Sequence, residues 1–215
     1  MVITGAIFDA DGTLFDSMHV WENLGDDYLR SKGVDTTEEY RNKIKKMFLT
    51  QAIKYIVENY PVSASEEVVL EEMLAITEKA YSTEVKSKVG VADFLDFFAK
   101  KGVKMCIATS AERKMIESAL ENNDLSRYFD FIVTSSEVGI GKSSPDIYNK
   151  ALERLNTDKL TTIIFEDSAY AAETAKKAGF TVCGVYDKFE KNQEKLAENS
   201  DMFIKTYIDA VKMFD

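Results

Sequence analysis

From Val91 to Val185 the chain repeats one pattern: a short apolar segment, then a longer segment with apolar residues at helical spacing. The apolar segments are Val103 to Ala108, Phe131 to Thr134, Thr161 to Phe165 and Thr181 to Val185. Strands without polar alternation are buried on both faces, which happens when helices cover both sides of a parallel sheet. The segments between read as helices at Val91 to Lys101, Glu112 to Asn122, Pro145 to Leu155 and Ala169 to Ala178. Gly102 and Gly179 stop the first and last of these, because glycine tolerates the left-handed backbone that ends a helix. With the apolar run Val2 to Phe8 added, at least five strands are expected. The predicted fold class is α/β, a Rossmann-like three-layer core built on a parallel sheet.

Between Ser17 and Ser87 no strand pattern occurs. Three or four helices are expected there, with capping-box starts at Thr36-Thr37-Glu38-Glu39 and Ser63-Ala64-Ser65-Glu66. A helical block inserted after the first strand of an alternating chain reads as a separate cap. The expected organisation is a core domain of residues 1–15 and 89–215, with a helical cap domain of residues 16–88.

At 215 residues the chain is long enough to bury a sizeable core. Its net charge of -10 argues against nucleic acid or an anionic membrane surface as partner. No apolar run approaches the ~20 residues of a membrane span. The start lacks the basic region of a signal peptide. Cys106 and Cys183 both lie in apolar segments, so buried reduced thiols and a cytoplasmic location are expected. One histidine, His19, excludes any mechanism or metal site that needs two. A small-molecule partner remains, and a monomer is compatible with these features.

Reactive groups in open parallel sheets gather at the carboxyl ends of strands. Here those ends carry Asp9 and Asp11, then Thr109 and Ser110, then Glu166 and Asp167, with Lys142 in the loop after Phe131 to Thr134. Gly12 lets the chain turn away directly after the first acidic pair. Acids, a hydroxyl and a lysine at one edge are what phosphoryl transfer through an aspartyl phosphate needs. A carboxylate about 4 Å from a phosphate dianion meets roughly 8 kcal/mol of repulsion, at ~4 kcal/mol per charge pair for an effective dielectric of 20. Lys142 alone does not offset that beside Asp11, Glu166 and Asp167. A hard divalent cation does, and Mg²⁺ fits, held by the Asp9 and Asp167 side chains and the Asp11 main-chain carbonyl.

The set Asp9-x-Asp11-Gly12-Thr13, Thr109, Gly141-Lys142 with Pro145-Asp146, and Glu166-Asp167-Ser168 resembles the haloacid dehalogenase-like superfamily in order and context. The likeness is to its small-cap phosphatase and beta-phosphoglucomutase-like branch, and covers nearly the whole core. It implies Asp9 as nucleophile and Asp11 as general acid-base. Thr109 and the Ser110 main-chain amide would bind phosphate oxygens, and Lys142 would neutralise charge on Asp9 and the phosphoryl group. Asp167 would complete the Mg²⁺ site, with Glu166 in or just behind its ligand shell. The implied function is a Mg²⁺-dependent phosphatase of a small phosphorylated metabolite, over which the cap closes and sets substrate choice. The alternative is a sugar-phosphate mutase. Its members carry a cap histidine five residues after the aspartate matching Asp16, where this chain has Trp21.

Each motif alone has a plainer reading. Asp-Gly after a strand is often only a turn. Thr109, with Glu112 three residues on, has the form of a helix N-cap, which does not exclude phosphate at the same helix end. Lys142 alone reads as solvated, and Glu166-Asp167 as an acidic helix start. A calcium loop starting at Asp9 fails, since Leu14 stands where glycine is needed and Val20 where the glutamate belongs. Arg41 and Lys45, one helical turn apart in the cap, read either as a solvated face or as contacts to an anionic substrate. A signalling receiver domain shares the chemistry but is about half the length, and a silent binding module has no need of a nucleophile beside an acid.

Overall fold

A computed structural model describes residues 2–44, 47 and 49–215. Six parallel strands form one sheet: β1 (Gly5–Phe8), β2 (Lys104–Thr109), β3 (Ile132–Thr134), β4 (Thr162–Glu166), β5 (Thr181–Val185) and β6 (Met202–Ile204). Their spatial order is β3-β2-β1-β4-β5-β6, the doubly wound arrangement in which the first strand lies at the centre. Among the described residues, four helices separate β1 from the rest: α1 (Met18–Ser31), α2 (Glu38–Ile44), α3 (Leu49–Asn59) and α4 (Glu66–Thr83). Seven more follow: α5 (Val91–Lys100), α6 (Arg113–Asn122), α7 (Ser135–Val138), α8 (Asp146–Leu155), α9 (Ala169–Lys177), α10 (Gln193–Glu198) and α11 (Tyr207–Phe214).

The chain divides into two compact units, Met1–Ser17 with Val85–Asp215, and Met18–Glu84. These limits fall just inside the 16–88 segment marked out by sequence, for a physical reason. The two connecting segments pair with each other: Phe15 bridges Ser87, Asp16 N–H donates to the Lys86 carbonyl at 3.0 Å, and Lys88 N–H to that of Leu14 at 2.8 Å.

In the sheet unit, successive residues of β1 serve opposite faces, as strand geometry requires. Ile7 belongs to a cluster with Cys106, Ile164, Ile147, Tyr148 and Ala172. Phe8 stacks on Phe165 with ring centres 4.5 Å apart, and Phe94 packs edge-on to both. Both faces are covered, so the strands carry no polar alternation. Both cysteines are buried and free. The helical unit has its own core, with Leu24, Tyr28, Ile53, Ile56, Val69 and Met73 buried together.

Two helix starts differ from expectation. Thr37, not Thr36, accepts the Tyr40 N–H at 3.2 Å before α2. Ser65, not Ser63, caps α4 by accepting the Val68 N–H at 3.4 Å. In both, the hydroxyl nearest the first helical turn takes the cap. At least five strands are expected, and the sheet has a sixth, β6. No helix among the described residues is long and apolar enough to cross a membrane.

Candidate active site

The centre of the sheet positions the acidic residues. Phe8 lies opposite Ile107 of β2 and Phe165 of β4. One residue further, Asp9 extends the ladder by donating its N–H to the Phe165 carbonyl at 2.9 Å. Its side chain therefore emerges at the carboxyl edge beside Glu166 and Asp167. The chain then turns sharply, with Leu14 and Phe15 N–H groups both bonding the Ala10 carbonyl at 2.9 and 3.0 Å. Gly12 sits in that turn at φ +74°, and a Cβ there would lie 2.2 Å from Asp167 Oδ2. Glycine is needed twice over, for the left-handed backbone and for the carboxylate packed against it.

Asp9, Glu166 and Asp167 each present a carboxylate oxygen within 4.8 Å of the others. Lys142, only 4% exposed, hydrogen-bonds Asp9 Oδ1 and lies 2.8 Å from Glu166 Oε2. Burial alone would lower the Lys142 ammonium, but the charges of Asp9 and Glu166 override it and hold it well above the ordinary lysine value. Burial pushes Glu166 up to about 7, against the pull of Lys142 and with a further push from Asp9. Asp167 is held well above the carboxylate range by burial first, then by Asp9 and Glu166, with the Thr13 hydrogen bond opposing.

Three buried carboxylates thus share one lysine, and burial reinforced by their mutual repulsion weighs against charge on Glu166 and Asp167. A hard divalent cation with oxygen ligands relieves that arrangement, so the donor set fits such an ion. Asp9 and Asp167 are the available carboxylates. Glu166 has one oxygen committed to Lys142 and to Tyr148, whose hydroxyl donates to it at 3.1 Å; its other oxygen accepts the Ser168 N–H at 3.3 Å. The Asp11 carboxylate is not part of this cluster. It accepts a hydrogen bond from Ser17 Oγ at 2.6 Å.

Thr109 is buried at the end of β2, opposite Thr134 of β3. It is not the N-cap of α6: its Oγ1 accepts the Ala111 N–H at 3.0 Å, while Glu112 holds the cap position without a side-chain bond. A hydroxyl that accepts in this way still has its own hydrogen to donate. Ser110 is exposed, its hydroxyl 3.3 Å from that of Ser135. The structure therefore sets Lys142 against Asp9 and Glu166 with an Asp167 oxygen within 4.8 Å of both carboxylates, puts Thr109 and Ser110 at the end of the adjoining strand, and places Asp11 in the turn.

Three contributors escape sequence reasoning. Tyr148 reads as an ordinary apolar-face residue of α8. Thr13 is visible only as part of the Asp-Gly-Thr motif, yet its hydroxyl donates to Asp167 Oδ1 at 2.9 Å. Ser17 carries no signal beyond its spacing from Asp11. In the helical unit, Arg41 bonds Asp26 Oδ2 at 2.6 Å and Thr36 Oγ1 at 3.1 Å, an ion pair within its own unit. Lys45 lies outside the described residues. Trp21 donates its ring N–H to the Tyr81 hydroxyl at 2.9 Å, and His19 is half-buried in α1.

The sequence profile of the haloacid dehalogenase-like hydrolases matches residues 6–185. The phosphorylated carbohydrates phosphatase of Thermotoga maritima is 31% identical over 173 residues, 80% of either chain. The validoxylamine A 7'-phosphate phosphatase of Streptomyces hygroscopicus subsp. limoneus is 28% identical over 207 residues, 93% of this chain and 92% of its own. Among solved structures, a Thermotoga maritima protein assigned as a beta-phosphoglucomutase matches with a TM-score of 0.87 and 27% identity, over 98% of this chain and 99% of that one. The two phosphatase matches span at least 80% of each chain, and the structural match spans nearly all of both. The chain belongs to the haloacid dehalogenase-like hydrolase family.

Proposed function

We propose that this protein is a Mg²⁺-dependent phosphatase that hydrolyses a small phosphorylated carbohydrate through an aspartyl phosphate on Asp9. The observation that carries the proposal is the buried contact between Lys142 and Asp9, set beside Glu166 and Asp167. A carboxylate held by a permanently charged lysine is a nucleophile whose charge is balanced before substrate arrives. The two phosphatases similar to this chain, named for carbohydrate and validoxylamine phosphates, support the substrate class.

In the first step an Asp9 carboxylate oxygen bonds to phosphorus while the bond from phosphorus to the ester oxygen breaks. Asp11 gives its proton to that departing oxygen, releasing an alcohol. In the second step Asp11, now a carboxylate, takes a proton from water, whose oxygen attacks phosphorus. The bond to Asp9 breaks and inorganic phosphate leaves. Thr109 Oγ1 and the Ser110 main-chain N–H hold phosphoryl oxygens, and Lys142 balances charge on Asp9 throughout. Mg²⁺, bound by the Asp9 and Asp167 carboxylates and the Asp11 carbonyl, would supply charge neutralisation of the phosphoryl oxygens. The helical unit is assigned the role of cap that selects substrate. Two buried, unpaired thiols support a reducing compartment, the cytoplasm.

A mutase reading has the likeness to the Thermotoga maritima structure in its favour. The phosphatase reading is preferred because Trp21, bonded to Tyr81, stands where the mutase branch carries its histidine.

The test is phosphate release from a panel of sugar phosphates, β-glucose 1-phosphate included, with Mg²⁺ and with chelator. Release that needs Mg²⁺, concentrates on related sugar phosphates and vanishes in folded Asp9→Asn protein is expected. Near wild-type release by folded Asp9→Asn protein overturns the mechanism. Dependence on a bisphosphate activator, with isomerised sugar phosphate as product, overturns the phosphatase in favour of the mutase.

A further inference from the structure

A cavity of about 280 Å³ lies on the β5–β6 side of the sheet unit. Its walls come from the connecting segment after α4, the residues that follow β5, and the turn between β6 and α11. None of Asp9, Asp11, Thr109, Lys142, Glu166 or Asp167 lines it. Its size is near the lower end of ordinary small-molecule pockets, roughly 300–1,000 Å³.

The charge of this cavity runs against that of the protein. Lys86, Lys88, Lys188 and Lys205 reach it, against two carboxylates, Asp16 and Asp187, in a chain of net charge -10. Two of the lysines are committed. Lys88 Nζ lies 2.8 Å from Oδ2 of Asp187, which is only 2% exposed, and donates to the Tyr186 carbonyl at 2.7 Å. Lys188 Nζ lies 3.8 Å from Asp16 Oδ1. Lys86 and Lys205 are exposed, and neither has a carboxylate partner among the described residues. Two unneutralised ammonium groups at one opening match a dianion.

The rest of the lining is apolar. Val185 and Tyr207 are buried, while Val89 and Tyr186 keep 68% and 42% of their surface exposed at the same opening. The buried Tyr207 hydroxyl has no hydrogen-bond partner among the described residues. Unpaired lysines beside an open valine and tyrosine suit a ligand with one doubly charged end and one ring or hydrocarbon end.

We propose that this cavity is a second ligand site, separate from the phosphoryl-transfer centre, for a small phosphorylated molecule with an apolar or ring body. Lys86 and Lys205 contact the dianion, and Val89 and Tyr186 the body. Lys86 accepts the Asp16 N–H through its carbonyl, so the ligand rests on the paired segments 14–16 and 86–88 of the sheet unit.

Phenylphosphonate is the probe, because its phosphorus–carbon bond is not a phosphate ester and turnover cannot consume it. Lysine acylation of the full-length protein, read by peptide mass spectrometry with and without the probe at mildly alkaline pH, resolves each side chain. Protection of Lys86 and Lys205 is expected, with exposed Lys212 on α11 as the unprotected control. Calorimetry of the Lys86→Ala/Lys205→Ala variant should then lose one binding event, its affinity falling by about tenfold or more as charge-assisted contacts are removed. Neither side chain has a carboxylate partner among the described residues, so the variant is expected to fold, and circular dichroism checks it. Equal acylation of Lys86, Lys205 and Lys212 with and without probe overturns the site, as does an unchanged isotherm in the folded variant. Neither readout uses turnover, so failure here is distinct from failure of the proposed phosphatase activity.

Discussion

The Tyr148 hydroxyl donates to Glu166 Oε2 at 3.1 Å, and the same carboxylate oxygen receives Lys142 at 2.8 Å. Burial, followed by the charge of Glu166, holds the Tyr148 phenol well above its ordinary value, so it remains a donor. Glu166 in turn holds the ammonium that contacts Asp9. Tyr148→Phe keeps the ring in its core position and deletes only the donor. Hydrogen bonds to charged groups contribute about 1.5–3 kcal/mol, so stability should fall by about that amount. Turnover should fall about tenfold with KM nearly unchanged, since Lys142 loses its fixed partner geometry. A denaturation midpoint and kcat both equal to wild type would show that Tyr148 is only packing.

Thr13 makes a parallel case on the side of the proposed metal. Its hydroxyl bonds Asp167 Oδ1 at 2.9 Å with both residues buried. Thr13→Val preserves shape and leaves that oxygen without its donor. Groups that orient a ligand carboxylate typically change metal affinity about 10–100-fold. The Mg²⁺ concentration that gives half-maximal turnover should rise by that factor while saturated turnover changes little. An unmoved midpoint in the Mg²⁺ titration would detach Thr13 from the metal.

The parts of this molecule that sequence makes legible are those where one physical demand sets residue type. The middles of strands β1, β2, β4 and β5 are apolar because both faces are covered, and they read that way, with Lys104, Thr162, Glu166 and Thr181 confined to strand ends. The edge strand β6 has three residues and only Ile204 fully buried, too little pattern to register. Asp9, Glu166 and Asp167 are legible because they stand at the ends of apolar strands, where the proposed phosphoryl transfer needs charge, and Lys142 because it follows Gly141 in the loop before α8. Tyr148 is not, since a tyrosine that faces a core and one that also donates a hydrogen bond have the same helical spacing. The cap shifts at Thr37 and Ser65 have a similar origin: neighbouring hydroxyls compete for one cap, and backbone geometry decides.

Gly12 admits a sharper test of the turn after Asp9. At φ +74° any side chain costs about 1–2 kcal/mol in backbone strain. Its Cβ would also meet Asp167 Oδ2 at 2.2 Å, far inside van der Waals contact. Gly12→Ala must therefore displace either the turn or the carboxylate. Both are expected to cut Mg²⁺-dependent turnover by at least about a hundredfold, given the sensitivity of catalysis to ~1 Å misplacement. Stability should fall by at least the strain cost. A variant with wild-type turnover would show that Asp167 has room to move without consequence.

The two cysteines predict how stability depends on alkaline pH. Burial pushes both thiols well above their ordinary value of 9, with Asp130 adding to the effect at Cys106. In the unfolded chain these protons leave near pH 9, while the folded protein keeps them. Above that pH the folded state binds more protons than the unfolded state, so stability falls as pH rises. The contribution is complete below pH 9 and is lost progressively above it, at about 1.4 kcal/mol per thiol for each pH unit. Thermal midpoints should be level just below pH 9 and decline above it, with the onset softened in a Cys106→Ala/Cys183→Ala variant. A thiol reagent should likewise modify neither residue until denaturant unfolds the chain. Rapid modification of the native protein would mean that one of these segments opens far more readily than its burial implies.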